Sequence, residues 1–265
     1  MTMTDSREAI EYIEVDRSVV MGFLFEHAAD EDLSKYGREE LVRAAASVER
    51  HLAMYHPGTS VVSIDRNSGL TRQGRPVSVI TVINDNMPFL FDSVLGEVTD
   101  AAGEPFLVAH PVINANSGRW HVGGHNDGGS RVRGKDDGRV SIVHIHVRLL
   151  SDNQVVALED RIKRVLTQVR AAVTDWRSML ARLDQAISEF RYAPVPLDKA
   201  SVTEAIAFLE WLRDDNFTFL GMREFKYTGS EKSGTLERAD KPGLGILSDP
   251  DVLVLRRGTE AVSTT

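Results

Sequence analysis

With 265 residues, 42% of them apolar and 26% charged, the chain can bury the cores of one large domain or two ordinary ones. A formal net charge of −8 argues against a broad basic surface for nucleic acid, and the absence of cysteine excludes disulfides, thiol nucleophiles and thiolate metal sites. No run approaches the ~18 apolar residues of a membrane span, and MTMTDSREAIEYIEVDRS has no apolar signal core, so a cytoplasmic protein without membrane or nucleic-acid partners is expected.

Residues 1–15 are polar. Asp16 can cap a helix with Val19, Val20, Phe23, Leu24 and His27 along one side. A second helix is predicted from Arg38 to Tyr55, with Leu41, Ala45, Val48 and Leu52 on one face and His56-Pro57-Gly58 as its stop. Ser60 to Ile64 reads as a short strand ended by Asn67-Ser68-Gly69.

The densest signal is VSVITVINDNMPFLFDSVLGEVTDAAG, residues 77–103. Val77 to Ile83 is a run rich in β-branched residues, suited to a pleated surface. Asn84-Asp85-Asn86 stops it, because these side chains bond their own backbone. Pro88 is predicted in the first turn of the next helix, which carries Phe91, Val94, Leu95, Val98 and Ala102 on one face and closes at Gly103.

Phe106 to Ala115 is the next strand. Pro111 cannot donate to a ladder, which places this strand at a sheet edge. Asn116 to Gly138, with seven glycines, reads as a long hairpin loop. Arg119, Trp120, His121 and His125 within it could form a binding lid, although an insertion without a ligand is the favoured reading. Val140 to Leu150 is a strand with an apolar face (Val143, Ile145, Val147) and a mixed face (His144, His146, Arg148), so helices need cover only one side. A long helix begins at Ser151, whose hydroxyl can form a capping box with Gln154. Its stripe is Leu158, Ile162, Val165, Leu166, Val169, Val173, Trp176, Leu180, Leu183 and Ile187; unbroken to about Phe190, it would be roughly 55 Å long.

Pro194 and Pro196 mark a boundary. A helix from Ala200 to Arg213, a strand from Asn216 to Tyr227 and a polar loop from Gly229 to Gly243 follow. Two short apolar runs, Leu244 to Leu247 and Val252 to Leu255, come next, and the final RRGTEAVSTT has no closing element and reads as a boundary within a longer chain. Phe217, Phe219 and Phe225 are expected in the core. Gly243-Leu244-Gly245 lacks the third glycine of a dinucleotide fingerprint.

Two further constellations are candidates for chemistry. At the turn Asn84, Asp85, Asn86, Met87 and Phe89, an amino-acid ligand would set its ammonium near Asp85 and its carboxylate on N–H groups at the helix start. The structural reading of the same residues is a capped turn with Asn86 as N-cap, and it has the higher prior. His144 and His146 share one strand face, with His110 a candidate third imidazole, and could hold zinc or nickel. The favoured reading there is a polar outer face, and a protonation-sensitive interface is a further option. No serine has the histidine and aspartate companions of a triad, so no catalytic residue is assigned.

The segments VSVITVINDNMPFLFDSVLGEV, VSIVHIHVRL, VRAAVTDWRSML, NFTFLGMREFKY and LGIL, in that order over residues 17–255, resemble the N-terminal regulatory region of the large bacterial NAD-specific glutamate dehydrogenases. The strand, turn, Pro and helix also resemble the ACT fold, an amino-acid-sensing module whose corresponding turn, here Asn84 to Phe89, often forms the effector site at a subunit interface. The element order supplies five of the six elements of a split β-α-β unit. The expected class is therefore α+β: an ACT/ferredoxin-like antiparallel sheet with helices on one face, preceded by an N-terminal helical pair and followed by the start of a second α/β unit. The expected segments are 1–58, 59–193 and 194–265, with the closing strand supplied by Ser60 to Ile64 or by another subunit.

The resemblance implies a non-catalytic regulatory or oligomerisation region of an enzyme that converts L-glutamate, NAD and water to 2-oxoglutarate, ammonia and NADH. NAD would be the parent's cofactor, with none in this segment. The partners would be the rest of the dehydrogenase chain, further copies of the chain and an amino-acid effector. Two alternatives stand beside it: a ligand-free assembly module, and a metal-dependent enzyme using His144 and His146.

Overall fold

The computed structural model describes residues 20, 22–114, 121–122, 138–192, 194, 198–230, 233–252 and 262–264. Asp16, Val19, Arg119, Trp120, His125 and most of the final ten residues lie outside them. The chain divides into two compact units, residues 1–166 and 167–265.

Unit 1 is built around strand β3, Arg75–Asp85. Its residues from Val77 to Asn84 are all buried, so both of its faces are covered. On one side it pairs with β1, Ser60–Asp65; on the other with β7, Arg139–Arg148. β4, Leu107–Ala109, and β5, Val112–Asn114, continue the sheet beyond β7, and β6, His121–Val122, pairs with β5. A small hairpin arm, β2 (Thr71–Arg72), folds onto the start of β3 through Gln73-Gly74, both at positive φ as a tight hairpin turn requires. All these pairings are antiparallel.

The order β1-β3-β7-β4/β5 is the split β-α-β layout, and the strand beside β3 that closes it comes from the chain before β3. Ser60–Asp65 therefore supplies the edge from within the same chain. The strand expected from Phe106 to Ala115 is two pieces. Pro111 sits at the break, where its carbonyl accepts Ile142 N–H at 3.0 Å and its missing donor costs no ladder bond.

Helix α1, Arg38–Leu52, buries Ala44, Ala45, Val48 and Leu52. Together with Phe23, Leu24 and Tyr36 these residues pack on the face of the sheet that presents Val77, Val79, Ile83 and Ile142. On the opposite face, Ile80, Val82, Val143, Ile145 and Val147 meet α2, Leu90–Ala102, and the first turns of α3, Asp152–Tyr192. The two helices of the ACT-like unit thus lie on one face of the antiparallel sheet, as expected, and the N-terminal helices cover the other. They are the sheet's second layer and share its core. Each fully buried Val or Leu in these layers contributes about 1.5–3 kcal/mol.

α2 does not begin as its sequence suggests. Asn86 donates its N–H to Arg139 O at 2.9 Å and so belongs to the end of the sheet. Pro88 lies in the turn before the helix, and the N-cap position is Phe89, in the left-handed region at φ 67°. α3 does follow the expected start. Gln154 Oε1 accepts Ser151 N–H at 3.0 Å, and Ser151 Oγ accepts Gln154 N–H at 3.3 Å. Its 41 residues span about 60 Å.

Unit 2 has a thinner core. Val169, Ala172, Met179, Leu183 and Ile187 of α3 are buried, whereas α4, Lys199–Trp211, buries none of its residues. α4 is capped by Asp198, whose Oδ1 accepts the N–H groups of Ala200 and Ser201. The predicted strand from Asn216 to Tyr227 is interrupted: β8 is Gly221–Met222 and β9 is Phe225–Ser230. Arg223, between them, donates to Leu247 O, Asp249 O and Val252 O. The predicted polar loop from Gly229 to Gly243 contains β10, Ser233–Arg238, which forms a hairpin with β9 and pairs in parallel with β12, Val262–Thr264. Phe217 is 55% exposed, so it is not core.

Gly243 and Gly245 are packing glycines beside β11, Leu244–Gly245, which pairs with β8. A Cβ at Gly243 would fall 1.9 Å from Leu247 O. At Gly245, with φ +58°, it would fall 2.1 Å from Leu220 O. Among the described residues, no helix is long and apolar enough to cross a membrane.

Candidate functional site

The turn after β3 joins three elements. Asp85 reaches back to the loop behind α1, where its Oδ1 accepts Tyr55 O–H at 2.5 Å and its two oxygens accept Gly58 N–H at 3.0 and 3.1 Å. Asn84 points to the other side of the strand, is 1% exposed, and accepts Ser60 O–H on β1 at 2.5 Å. Met87 packs, partly buried, against the α2–sheet core. Phe89 is the outward member, 44% exposed, with its backbone held left-handed. A left-handed non-glycine residue is uncommon and costs on the order of 1 kcal/mol or more.

Asn84 and Asp85, adjacent in sequence, thus face opposite sides of the sheet and already have partners within the protein. A ligand at this turn would meet Phe89 and the backbone at the start of α2 before it met the Asp85 carboxylate. The tether from Tyr55 and Gly58 is not legible in the sequence. The hint is present in Tyr55-His56-Pro57-Gly58, where an aromatic hydroxyl and a turn glycine follow a helix end.

His144 and His146 are 0% and 1% exposed. The mixed face of β7, read from the sequence as a polar outer face, is covered by the chain's own N-terminal helices. His144 Nδ1 lies 3.0 Å from Thr81 Oγ1 on β3, its cross-strand partner, and the two histidines meet Nε2 to Nε2 at 2.9 Å. At that distance one ring nitrogen donates its proton to the lone pair of the other, which suits two neutral imidazoles. Tyr36 stacks edge-on against His146 with ring centres 5.1 Å apart, and Phe25 approaches His144 at 6.2 Å.

Burial holds His146 down to about 4 and His144 well below the ordinary histidine value, with the neighbouring His146 and His51 adding to the depression of His144. Burial also pushes the Tyr36 hydroxyl up. His110 does not join the pair. It lies on the other face, stacked on Phe91 at 4.4 Å and within 2.7 Å of Ser141 Oγ, and burial holds it down to about 4. Among the described residues, no group of three potential ligands is placed to hold a metal ion.

The matches to known proteins follow this geometry. The model of the family described as glutamate dehydrogenase, ACT1 domain, matches residues 20–162, the stretch that runs from the first helix through all the described strands of unit 1 into α3. The chain is 29% identical over 225 residues to the NAD-specific glutamate dehydrogenase of Halomonas elongata, a match that covers 82% of this chain and 14% of that protein. It is 28% identical over 171 residues to the NAD-specific glutamate dehydrogenase of Pseudomonas aeruginosa, covering 64% of this chain and 10% of that protein. The chain therefore spans only a small part of the length of the relatives it matches. No solved structure matches it. By the extent of the first match, more than half of its length, the chain belongs to the glutamate dehydrogenase ACT1 domain family.

Proposed function

We propose that this chain is a regulatory region, without a catalytic centre of its own, of a large NAD-dependent glutamate dehydrogenase. The parent reaction would be oxidation of L-glutamate to 2-oxoglutarate and ammonia with NAD as acceptor. The chain would act on the rest of that enzyme through an amino-acid effector at the turn from Asn84 to Phe89. The observation that carries this reading is the ACT1 match, which runs over the antiparallel sheet and both helices packed on one of its faces. The strained, exposed Phe89 at the start of α2 supports the turn as the contact point.

A second reading, assembly of subunits with no effector, is favoured by Asp85, whose carboxylate is already satisfied by Tyr55 and Gly58. A thermal-shift screen of the chain against the common amino acids and 2-oxoglutarate separates the two. A ligand at a hundredfold its dissociation constant stabilises by about 2.7 kcal/mol. A hit that Phe89→Ala abolishes supports the sensor. A flat screen at millimolar ligand refutes it and leaves assembly, to be checked by the oligomeric state in solution.

A further inference from the structure

A cleft of about 190 Å³ opens in unit 1 between α1, β1 and β3, on the sheet face that carries the buried histidines. It is smaller than the ~300–1,000 Å³ of sites for drug-sized ligands, so its scale is that of a compact metabolite. Ala44, Leu70, Val79 and Thr81 form its buried floor. Above them stand half-buried Ser47, His51 and Ser63, and exposed Arg43 and Arg50 form the rim. Arg43 and Arg50 are seven residues apart, two turns of α1, so they lie on one side of the helix about 10 Å apart along its axis.

The two arginines of this cleft are not held in ion pairs: among the described residues neither guanidinium makes an ion pair or a hydrogen bond. Glu40, the carboxylate whose charge Arg43 stabilises, is held by Gly37 N–H and by the N–H and hydroxyl of Thr71. Asp65, the acid in the wall, accepts Asn67 N–H at 2.8 Å. The His51 ring, its Nδ1 buried, lies against the backbone of Ser47 one turn earlier on α1. The cleft thus sets two unpaired guanidiniums on its rim, with hydroxyls and an imidazole between them. Guanidinium is the side chain best matched to a carboxylate, through paired parallel N–H bonds.

We propose that this cleft binds a small organic dianion, a dicarboxylate with one carboxylate on Arg43 and the other on Arg50. Its chain would lie over Ser47 and His51. The site is separate from the turn at Asn84 to Phe89. It has its own route into the core: Thr81 on the cleft floor is bonded to His144, which is bonded to His146. A bound dianion would therefore alter the environment of the buried pair as well as the rim.

Titration calorimetry of the whole chain with succinate and with glutarate, at about 0.15 M ionic strength, tests this, with acetate and inorganic phosphate as one-ended probes. The expected result is dicarboxylate binding that weakens at least about tenfold in the Arg43→Gln/Arg50→Gln double variant, with acetate and phosphate binding at least about tenfold more weakly than the dicarboxylates. Both arginines are exposed rim residues, so the variant is expected to keep the far-ultraviolet dichroism of the parent. No heat with either dicarboxylate at about 20 mM overturns the proposal, as does equal binding by the double variant or by phosphate. Binding that survives the double variant but is lost in Phe89→Ala would place the ligand at the turn and overturn the cleft.

Discussion

Acidification should unfold unit 1 earlier than its charge balance suggests. His110 and His146 are each held down to about 4 by burial, against an unfolded value near 6.5. A histidine with a depressed folded value binds fewer protons folded than unfolded. Its contribution is complete above about pH 6.5, is lost as pH falls toward 4, and levels off below that. From pH 7 to pH 5 the loss is about 1.8 kcal/mol for each, so about 4 kcal/mol for the two, and His144 adds in the same direction. That is a large part of the ~5–15 kcal/mol that holds a domain folded.

The competing effect has the opposite sign. The chain carries a formal charge of −8 and has an isoelectric point near 5.5, so acidification toward that point relieves self-repulsion and should stabilise it. Urea unfolding followed by far-ultraviolet dichroism at pH 7.5, 6.5, 5.5 and 5.0 decides between them, because carboxylates contribute little above about pH 5. The midpoint should fall steadily across this series. A midpoint that stays level or rises toward pH 5 would refute the burial of neutral imidazoles as the main control on acid stability.

Three substitutions test other parts of the fold. Asp85→Ala removes the acceptor of Tyr55 O–H and Gly58 N–H and should cost about 1–3 kcal/mol in the same urea experiment; a loss below about 0.5 kcal/mol would mean the tether is not used. Phe89→Gly removes a left-handed non-glycine residue and should leave the chain about as stable or up to ~1 kcal/mol more stable, whereas a loss of more than about 2 kcal/mol would show that the ring's contacts outweigh its strain. Gly245→Ala sets a methyl against Leu220 O at a left-handed position and should open the β8–β11 pairing, read as faster amide exchange at Ile246, whose N–H donates to Leu220 O, with unit 1 unchanged.

The parts of the fold legible in the sequence are those with strong local signals. Val77 to Ile83 has its β-branched run, α1 and α3 have long apolar periods, and Ser151 with Gln154 announces a helix start. Strand order is not legible, because local patterns say nothing about which edge a short strand such as Ser60–Asp65 will join. The face of His144 and His146 misleads because alternating histidines look solvated; their burial is feasible only through Thr81 and their mutual bond, and the Thr81 partnership is non-local. β10 escapes a sequence reading because SGTLER has a single large apolar residue, Leu236, and so no alternating pattern to mark a strand. Of the turn candidates, the residue types are right for a capped or ligand-bearing turn, but the partners that occupy Asn84 and Asp85 lie 24 to 30 residues earlier.

The position of β1 ahead of β3 has a consequence for synthesis. In a split β-α-β unit closed at its C-terminal end, the sheet must wait for the second helix to be made before its last edge arrives. Here every described strand of the unit 1 sheet has been translated by Arg148. The strands can therefore pair while the ribosome is still adding the 41 residues of α3. Protease protection of ribosome-bound chains should then begin once the tunnel has released β7, well before Tyr192 emerges.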